Sequence, residues 1–117
     1  MKPLALLLLP LLATPALADP AEIVAAEATR SGGTWRFDVT LRHADTGWDH
    51  YADGWRIEAA DGTVLGTREL LHPHETEQPF TRSLTGVAVP DGTVEVFVRA
   101  RGTAEGWGEE TLTLALD

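Results

Sequence analysis

The sequence predicts an all-β protein in which two antiparallel sheets pack as a sandwich. From residue 21 onward, apolar residues recur with a period of two rather than 3.6, which is the period of strands. Turn sequences separate these runs at short intervals: "SGG" at 31–33, "DG" at 61–62 and "PDG" at 90–92. No convincing helical pattern occurs between these turns, so we expect strands throughout.

Alternation within the runs defines the individual strands. In the second run Trp35, Phe37, Val39 and Leu41 share one face, and charged and polar residues share the other. Trp55 holds an equivalent inward position in the third run, so we expect Trp35 and Trp55 in the core. Seven strands are predicted, at residues 22–29, 34–43, 54–60, 63–71, 80–87, 93–101 and 110–116.

Seven strands in a chain of this size, without a cysteine pair, resemble an immunoglobulin-like sandwich of the fibronectin type III kind. The resemblance covers nearly all of residues 19–117 and rests on strand count and spacing. It implies that three longer loops, at residues 44–53, 72–79 and 102–109, gather at one end of the sandwich. We call this the loop end. Because such folds place binding residues on loops held by a rigid scaffold, we expect the functional site there.

The first residues, "MKPLALLLLPLLATPALADP", have the pattern of an export signal. Lys2 supplies the basic start, residues 4–12 the apolar run, and residues 16–18 the small-x-small cleavage site. The run is shorter than the about 20 residues that span a bilayer, and no cysteine follows it to carry a lipid. We therefore expect a signal peptide at 1–18 and a β-sandwich domain at 19–117. The domain would be periplasmic or secreted from a bacterium, without membrane insertion.

Composition excludes several classes of function. The chain has no cysteine, which rules out disulfides, thiolate metal sites and iron–sulfur clusters. Lys and Arg number 9 against 18 Asp and Glu, a formal net charge of −9. This charge disfavours nucleic acid as a partner, since its binding requires basic patches, and it attracts cations.

All four histidines of the chain fall at the loop end: His43, His50, His72 and His74. Pro73 stiffens the His-Pro-His segment, and residues two apart in an extended segment point to the same side. Imidazoles together with carboxylates suit Cu(II) or Zn(II). We therefore predict these four histidines as ligands of a divalent transition metal. In the simpler alternative, His43 is a core residue bonded to a loop carbonyl, and the other three are solvated.

Further side chains at the loop end are expected to support the site or to contact a ligand. They are Asp45, Trp48, Asp49, Tyr51, Glu77, Arg82 and Trp107. Arg82 shares a face with Phe80, which would turn it inward, and a buried Arg requires an acidic partner such as Glu77 or Asp49. In the alternative, the register of this edge strand differs and Arg82 does not turn inward. Trp48 and Trp107 could instead cap the end of the core.

Two strings at the loop end, "HADTGWDHYADGW" (43–55) and "LLHPHETEQPFTRSL" (70–84), resemble those of a family of small exported proteobacterial proteins. The similarity covers roughly residues 43–84 and is specific as a pair of strings. The family carries no established activity, so the resemblance implies relatives and not a chemistry.

Two hypotheses of function follow. In the first, the domain is a binding module whose loop end holds Cu(II) or Zn(II). In the second, it is a protein-interaction domain that uses the same aromatic, His-rich end and takes no metal. An enzyme has the least support, because the sequence contains neither a glycine-rich phosphate loop nor a serine nucleophile motif.

Overall fold

The computed structural model describes residues 20–117, all in strands, turns and connecting segments; the predicted signal peptide at 1–18 lies outside the described residues. The prediction of an all-β, antiparallel protein is confirmed. The strands are β1 (Glu22–Ser31), β2 (Thr34–Arg42), β3 (Ala52–Glu58), β4 (Val64–Glu69), β5 (Phe80–Val87), β6 (Glu95–Gly102), β7 (Gly106–Trp107) and β8 (Leu112–Ala115). Within these residues, no helix is long and apolar enough to cross a membrane.

The strands form two sheets. One has three strands in the order β1-β2-β5, and the other has the order β4-β3-β6-β7, with β8 also paired to β6. Every pair is antiparallel. The prediction of seven strands was one short, because the two-residue β7 folds back on the end of β6.

Apolar faces of both sheets meet in one core. From β2, Phe37 and Leu41 are fully buried, and from the other sheet Trp55, Ile57 and Val98 are fully buried. The alternation read from the sequence therefore describes the faces correctly, including Trp35 and Trp55 as core residues. Burying each such side chain contributes about 1.5–3 kcal/mol relative to leaving it in water.

Backbone hydrogen bonds tie the connections at the loop end to one another. Tyr51, just before β3, accepts a bond from the amide of Thr103 at 2.9 Å and donates its own amide to the Thr103 hydroxyl at 3.0 Å. Leu70, just after β4, donates its amide to the carbonyl of Asp53 at 3.0 Å. The ends of β3, β4 and β6 in the larger sheet are thus tied to one another.

Candidate metal centre

A wholly buried carboxylate, Asp45, lies at the centre of the loop end. Its side chain is 0% exposed and accepts three hydrogen bonds. Oδ1 accepts from Nδ1 of His43 at 2.6 Å and from the amide of Ala52 at 3.0 Å, and Oδ2 accepts from the amide of His74 at 2.7 Å. A buried charge is tolerated when its oxygens are satisfied in this way. Asp45 therefore joins the loop before β3 to the His-Pro-His loop before β5.

The bond to Asp45 determines which nitrogen of His43 is free. The oxygens of Asp45 also accept from two backbone amides, which favours Nδ1 as the hydrogen-bond donor; a ring with its single proton there presents a lone pair at Nε2. This atom is buried, lies 3.6 Å from Oε2 of Glu105, and has no hydrogen-bond partner among residues 20–117. A carboxylate behind the ring and an unprotonated nitrogen in front form the usual arrangement of a metal-ligating histidine.

Two more potential metal ligands, His50 and Glu105, lie near Nε2 of His43. Nε2 of His50 lies 3.1 Å from Oε2 of Glu105, and the rings of His43 and His50 meet edge to face with centroids 4.8 Å apart. One ligand atom from each of the three residues lies within 4.8 Å of the others. Tetrahedral Zn(II) with bonds of 2.0–2.2 Å requires ligand atoms about 3.3 Å apart. The two distances to Oε2 lie on either side of this value.

The site is open on one side. The His50 side chain is 26% exposed and that of Glu105 is 13% exposed, whereas His43 is buried. The group is therefore accessible to solvent on the side of His50 and Glu105. A metal held there by three protein ligands would keep a fourth position for water or another ligand.

Glu105 is a site residue that the sequence did not indicate. It lies in the tight turn between β6 and β7, which the sequence suggested only as part of a longer loop. Its carboxylate folds back over Gly102, where a Cβ would overlap Oε1 of Glu105. This position of the Glu105 carboxylate therefore depends on the absence of a Cβ at Gly102 and not on the backbone conformation of Gly102, since its φ is not positive. The available signal was one acidic residue in a glycine-flanked turn, at the same end as His50.

The His-Pro-His pair lies beside this group and not in it. The ring of His74 is buried and stacks on Phe80 at 3.9 Å between centroids, and the ring of His72 is 4.7 Å from it. Burial lowers the pKa of His74, and the nearby Arg82 guanidinium and His72 lower it further, which favours the neutral imidazole. His72 is exposed. Of the four predicted ligands, the structure thus brings His43 and His50 together, with Glu105 as the third donor.

Three polar residues of the predicted supporting set, Arg82, Glu77 and Asp49, lie outside the group of three potential ligands. Arg82 is partly buried and donates to Glu77 at 3.1 Å, and this bond lowers the pKa of the Glu77 carboxyl. Glu77 is one of the two partners named from the sequence. The other, Asp49, is exposed in the loop before His50.

The aromatic residues of the set are placed differently. Trp48 is 69% exposed and meets Tyr51 edge to face at 5.8 Å, so it does not cap the core. Trp107 lies in β7 with the guanidinium groups of Arg56 and Arg101 at 3.9 and 4.9 Å from its ring. Such cation–π contacts hold β7 against β3 and β6, and they thereby fix the turn that carries Glu105.

Comparison with known proteins finds a relative in Halomicrobium mukohataei. This protein, named "Putative lipoprotein", is 44% identical over 95 residues, which are 80% of this chain and 46% of that protein. The chain thus spans about half the length of the relative it matches. No protein-family model matches the chain, and no solved structure matches it.

Proposed function

We propose that the protein is a small exported binding module that holds a divalent transition metal, Zn(II) or Cu(II), with His43, His50 and Glu105. The observation that carries the proposal is the buried Nε2 of His43. It is unpartnered within the described chain, backed by Asp45, and within ligand distance of two further donors. His-and-carboxylate ligand sets of this kind suit zinc and copper rather than softer ions.

An immunoglobulin-like sandwich is part of this proposal. The order β1-β2-β5 corresponds to strands A-B-E of that fold, and β3-β6-β8 corresponds to C-F-G. β4 then takes the place of strand C′ beside β3. In this arrangement the loop end corresponds to the end where variable domains carry their binding loops.

Export is supported by two independent features. Residues 1–18 have the composition of a signal peptide, and the relative from Halomicrobium mukohataei bears the name of a lipoprotein. We propose a periplasmic or secreted location and membership of the proteobacterial family whose strings residues 43–84 resemble. Metal ions, and not nucleic acids, would be the partners.

Isothermal titration of the purified metal-free protein with Zn(II) and Cu(II) tests the metal site. We expect one-to-one binding in the wild type and its loss in His50→Ala and Glu105→Gln, since each removes a ligand from an exposed or half-buried position. His72→Ala is the matched control, because His72 is an exposed loop histidine outside the group. Equal binding in Glu105→Gln and the wild type would refute the site.

A metal-free interaction domain is the second candidate function. It is favoured by two exposed apolar side chains of the loops, Trp48 at 69% and Leu71 at 74%. Tryptophan is among the residues that dominate protein interfaces. On this hypothesis neither Zn(II) nor a chelator changes the melting temperature. An unchanged melting temperature together with absent metal binding would select it over the metal site.

A further inference from the structure

We propose that the His-Pro-His loop positions the metal ligand His43 and does not itself ligate, with Asp45 and Gln78 as the positioning residues. This inference rests on the proposed metal-binding function. It assigns a role to the His-Pro-His segment, which supplies no residue to the group of three ligands.

The inference begins with a closed circuit of hydrogen bonds through four residues. The amide of His43 donates to Oε1 of Gln78 at 2.9 Å, and Nε2 of Gln78 donates to the carbonyl of His74 at 2.8 Å. The amide of His74 donates to Oδ2 of Asp45 at 2.7 Å, and Oδ1 of Asp45 accepts from Nδ1 of His43 at 2.6 Å. The loop before β5 therefore holds the backbone of His43 directly through Gln78, and its ring indirectly, through the bond from the His74 amide to Asp45.

Each bond fixes a different degree of freedom. Asp45 sets the ring's tautomer and rotation, so that Nε2 points at His50 and Glu105. Gln78 sets the backbone of His43, and because both ends of its amide are engaged, its own orientation is fixed. The ring of His74 stacks on Phe80, the first residue of β5, which anchors the loop to the sheet.

The same contacts explain why this loop supplies no ligand. His74 is buried on Phe80, and its Nδ1 lies 3.9 Å from Oδ2 of Asp45, the oxygen that does not bond to the His43 ring. The loop before β5 therefore acts on the backbone of His43 through Gln78 and on Nδ1 through Asp45, while the candidate ligands lie at Nε2. Partners that act on a metal ligand in this way change metal affinity by about 10–100-fold when removed.

Two variants and a matched control separate positioning from folding. Asp45→Asn replaces the oxygen that accepts from His43 or from His74 with an amide nitrogen. Gln78→Ala removes both hydrogen bonds of the Gln78 side chain. Because Gln78 is exposed, this variant should fold even if Asp45→Asn does not. Thr76→Ala is the control, since Thr76 is an exposed residue of the same loop.

The experiment measures Zn(II) affinity by competition titration, and the His43 tautomer by nitrogen-15 NMR of metal-free protein. We expect both variants to weaken Zn(II) binding by about 10–100-fold and Thr76→Ala to leave it unchanged. The wild-type ring should carry its proton on Nδ1, and Asp45→Asn should shift protons to Nε2. The positioning role alone would be overturned if both variants kept the wild-type affinity for Zn(II). It would also be overturned if His43 of the metal-free wild type carried its proton on Nε2. A wild type that binds no Zn(II) would instead overturn the proposed function.

Discussion

His43 is a buried imidazole with a carboxylate on each side. Asp45 accepts a hydrogen bond from Nδ1. Oε2 of Glu105 faces Nε2 at 3.6 Å, which is longer than a hydrogen bond. With a single proton on Nδ1, the lone pairs of Nε2 and Oε2 face each other, on the buried side of a group that His50 and Glu105 open to solvent. A cation between Nε2 and Oε2 would turn this repulsion into two bonds. This electrostatic need, rather than the number of histidines, is the residue-level reason for proposing a metal.

Stability of the metal-free protein should fall as pH drops from about 7 to about 5, in part because of His74. Burial lowers the pKa of His74 in the folded state. In this window the unfolded chain binds a proton that the folded chain does not, so the free energy of unfolding rises with pH. Urea unfolding at several pH values, with chelator present, measures the slope. Lowered carboxyl pKa values, as at Glu58, act only below this window.

His74→Phe isolates the contribution of His74, since His43 and His50 remain and the phenyl ring can keep the stack on Phe80. We expect a shallower pH dependence between about pH 7 and pH 5 in this variant. The exposed His72 provides the control, and His72→Ala should keep the wild-type slope. Equal slopes in the wild type and His74→Phe would show that burial of His74 does not contribute.

At the scale of elements, the β6–β7 hairpin determines where Glu105 lies. Gly102→Ala should lower Zn(II) affinity by about 10-fold or more, because the new Cβ displaces the Glu105 carboxylate without changing Glu105 itself. Gly108→Ala is the matched control in the same hairpin, since its Cβ would make an ordinary contact of 3.5 Å with the carbonyl of Ala100. Titration calorimetry compares the two. Equal affinity in both variants would exclude this role of the hairpin.

β2 carries His43 at its end, and its anchoring in the core should be measurable. Leu41 is fully buried and lies opposite Phe80 of β5. Leu41→Ala should reduce the free energy of unfolding by about 2–5 kcal/mol through lost burial and the cavity left behind. Arg42→Ala, at the next position, should cost less than about 1 kcal/mol, since its ion pair with Glu22 is exposed. Urea denaturation gives both values, and similar losses would contradict this packing.

The strands could be predicted because each carries its own periodicity. The alternation in β2 identifies its buried face without reference to any partner strand, and the same holds for β6. β7 could not be predicted, since two residues, Gly106 and Trp107, carry no alternation. Its position depends on the contacts of Trp107 with Arg101 of β6 and with Arg56, which is distant in sequence.

The site was predictable in part for the same reason. The sequence placed His43, His50 and Asp45 at one end, because strand order determines the end at which each loop lies. It could not indicate that Asp45 bonds to the amide of His74, which is a long-range contact. The spacing of His72 and His74 suggested a shared ion, but side-chain packing on Phe80 determines where His74 lies.

For the whole molecule, the proposed ion lies where the two sheets meet at the loop end. His43 follows a strand of the three-stranded sheet, whereas His50 precedes β3 and Glu105 follows β6 of the other sheet. A metal bound to all three would cross-link the sheets in the folded state only. Metal binding should therefore stabilise the entire fold and not only the loops.

Zn(II) should raise the melting temperature. At a free concentration 100 times Kd, binding adds about 2.7 kcal/mol, which corresponds to about 10–20 °C for a domain of this size. Scanning calorimetry with and without Zn(II) measures the shift, and a chelator should reverse it. Zn(II) should raise the melting temperature of Glu105→Gln only slightly. A shift that is as large in Glu105→Gln would place the ion elsewhere.

The most direct test of the metal centre is anomalous diffraction from a crystal of the Zn(II)-loaded protein. We predict one strong zinc peak bonded to Nε2 of His43, a ring nitrogen of His50 and a carboxylate oxygen of Glu105, at about 2.0–2.2 Å. A peak at His72 and His74 with none beside His43, or a fully loaded crystal without zinc at the loop end, would contradict it.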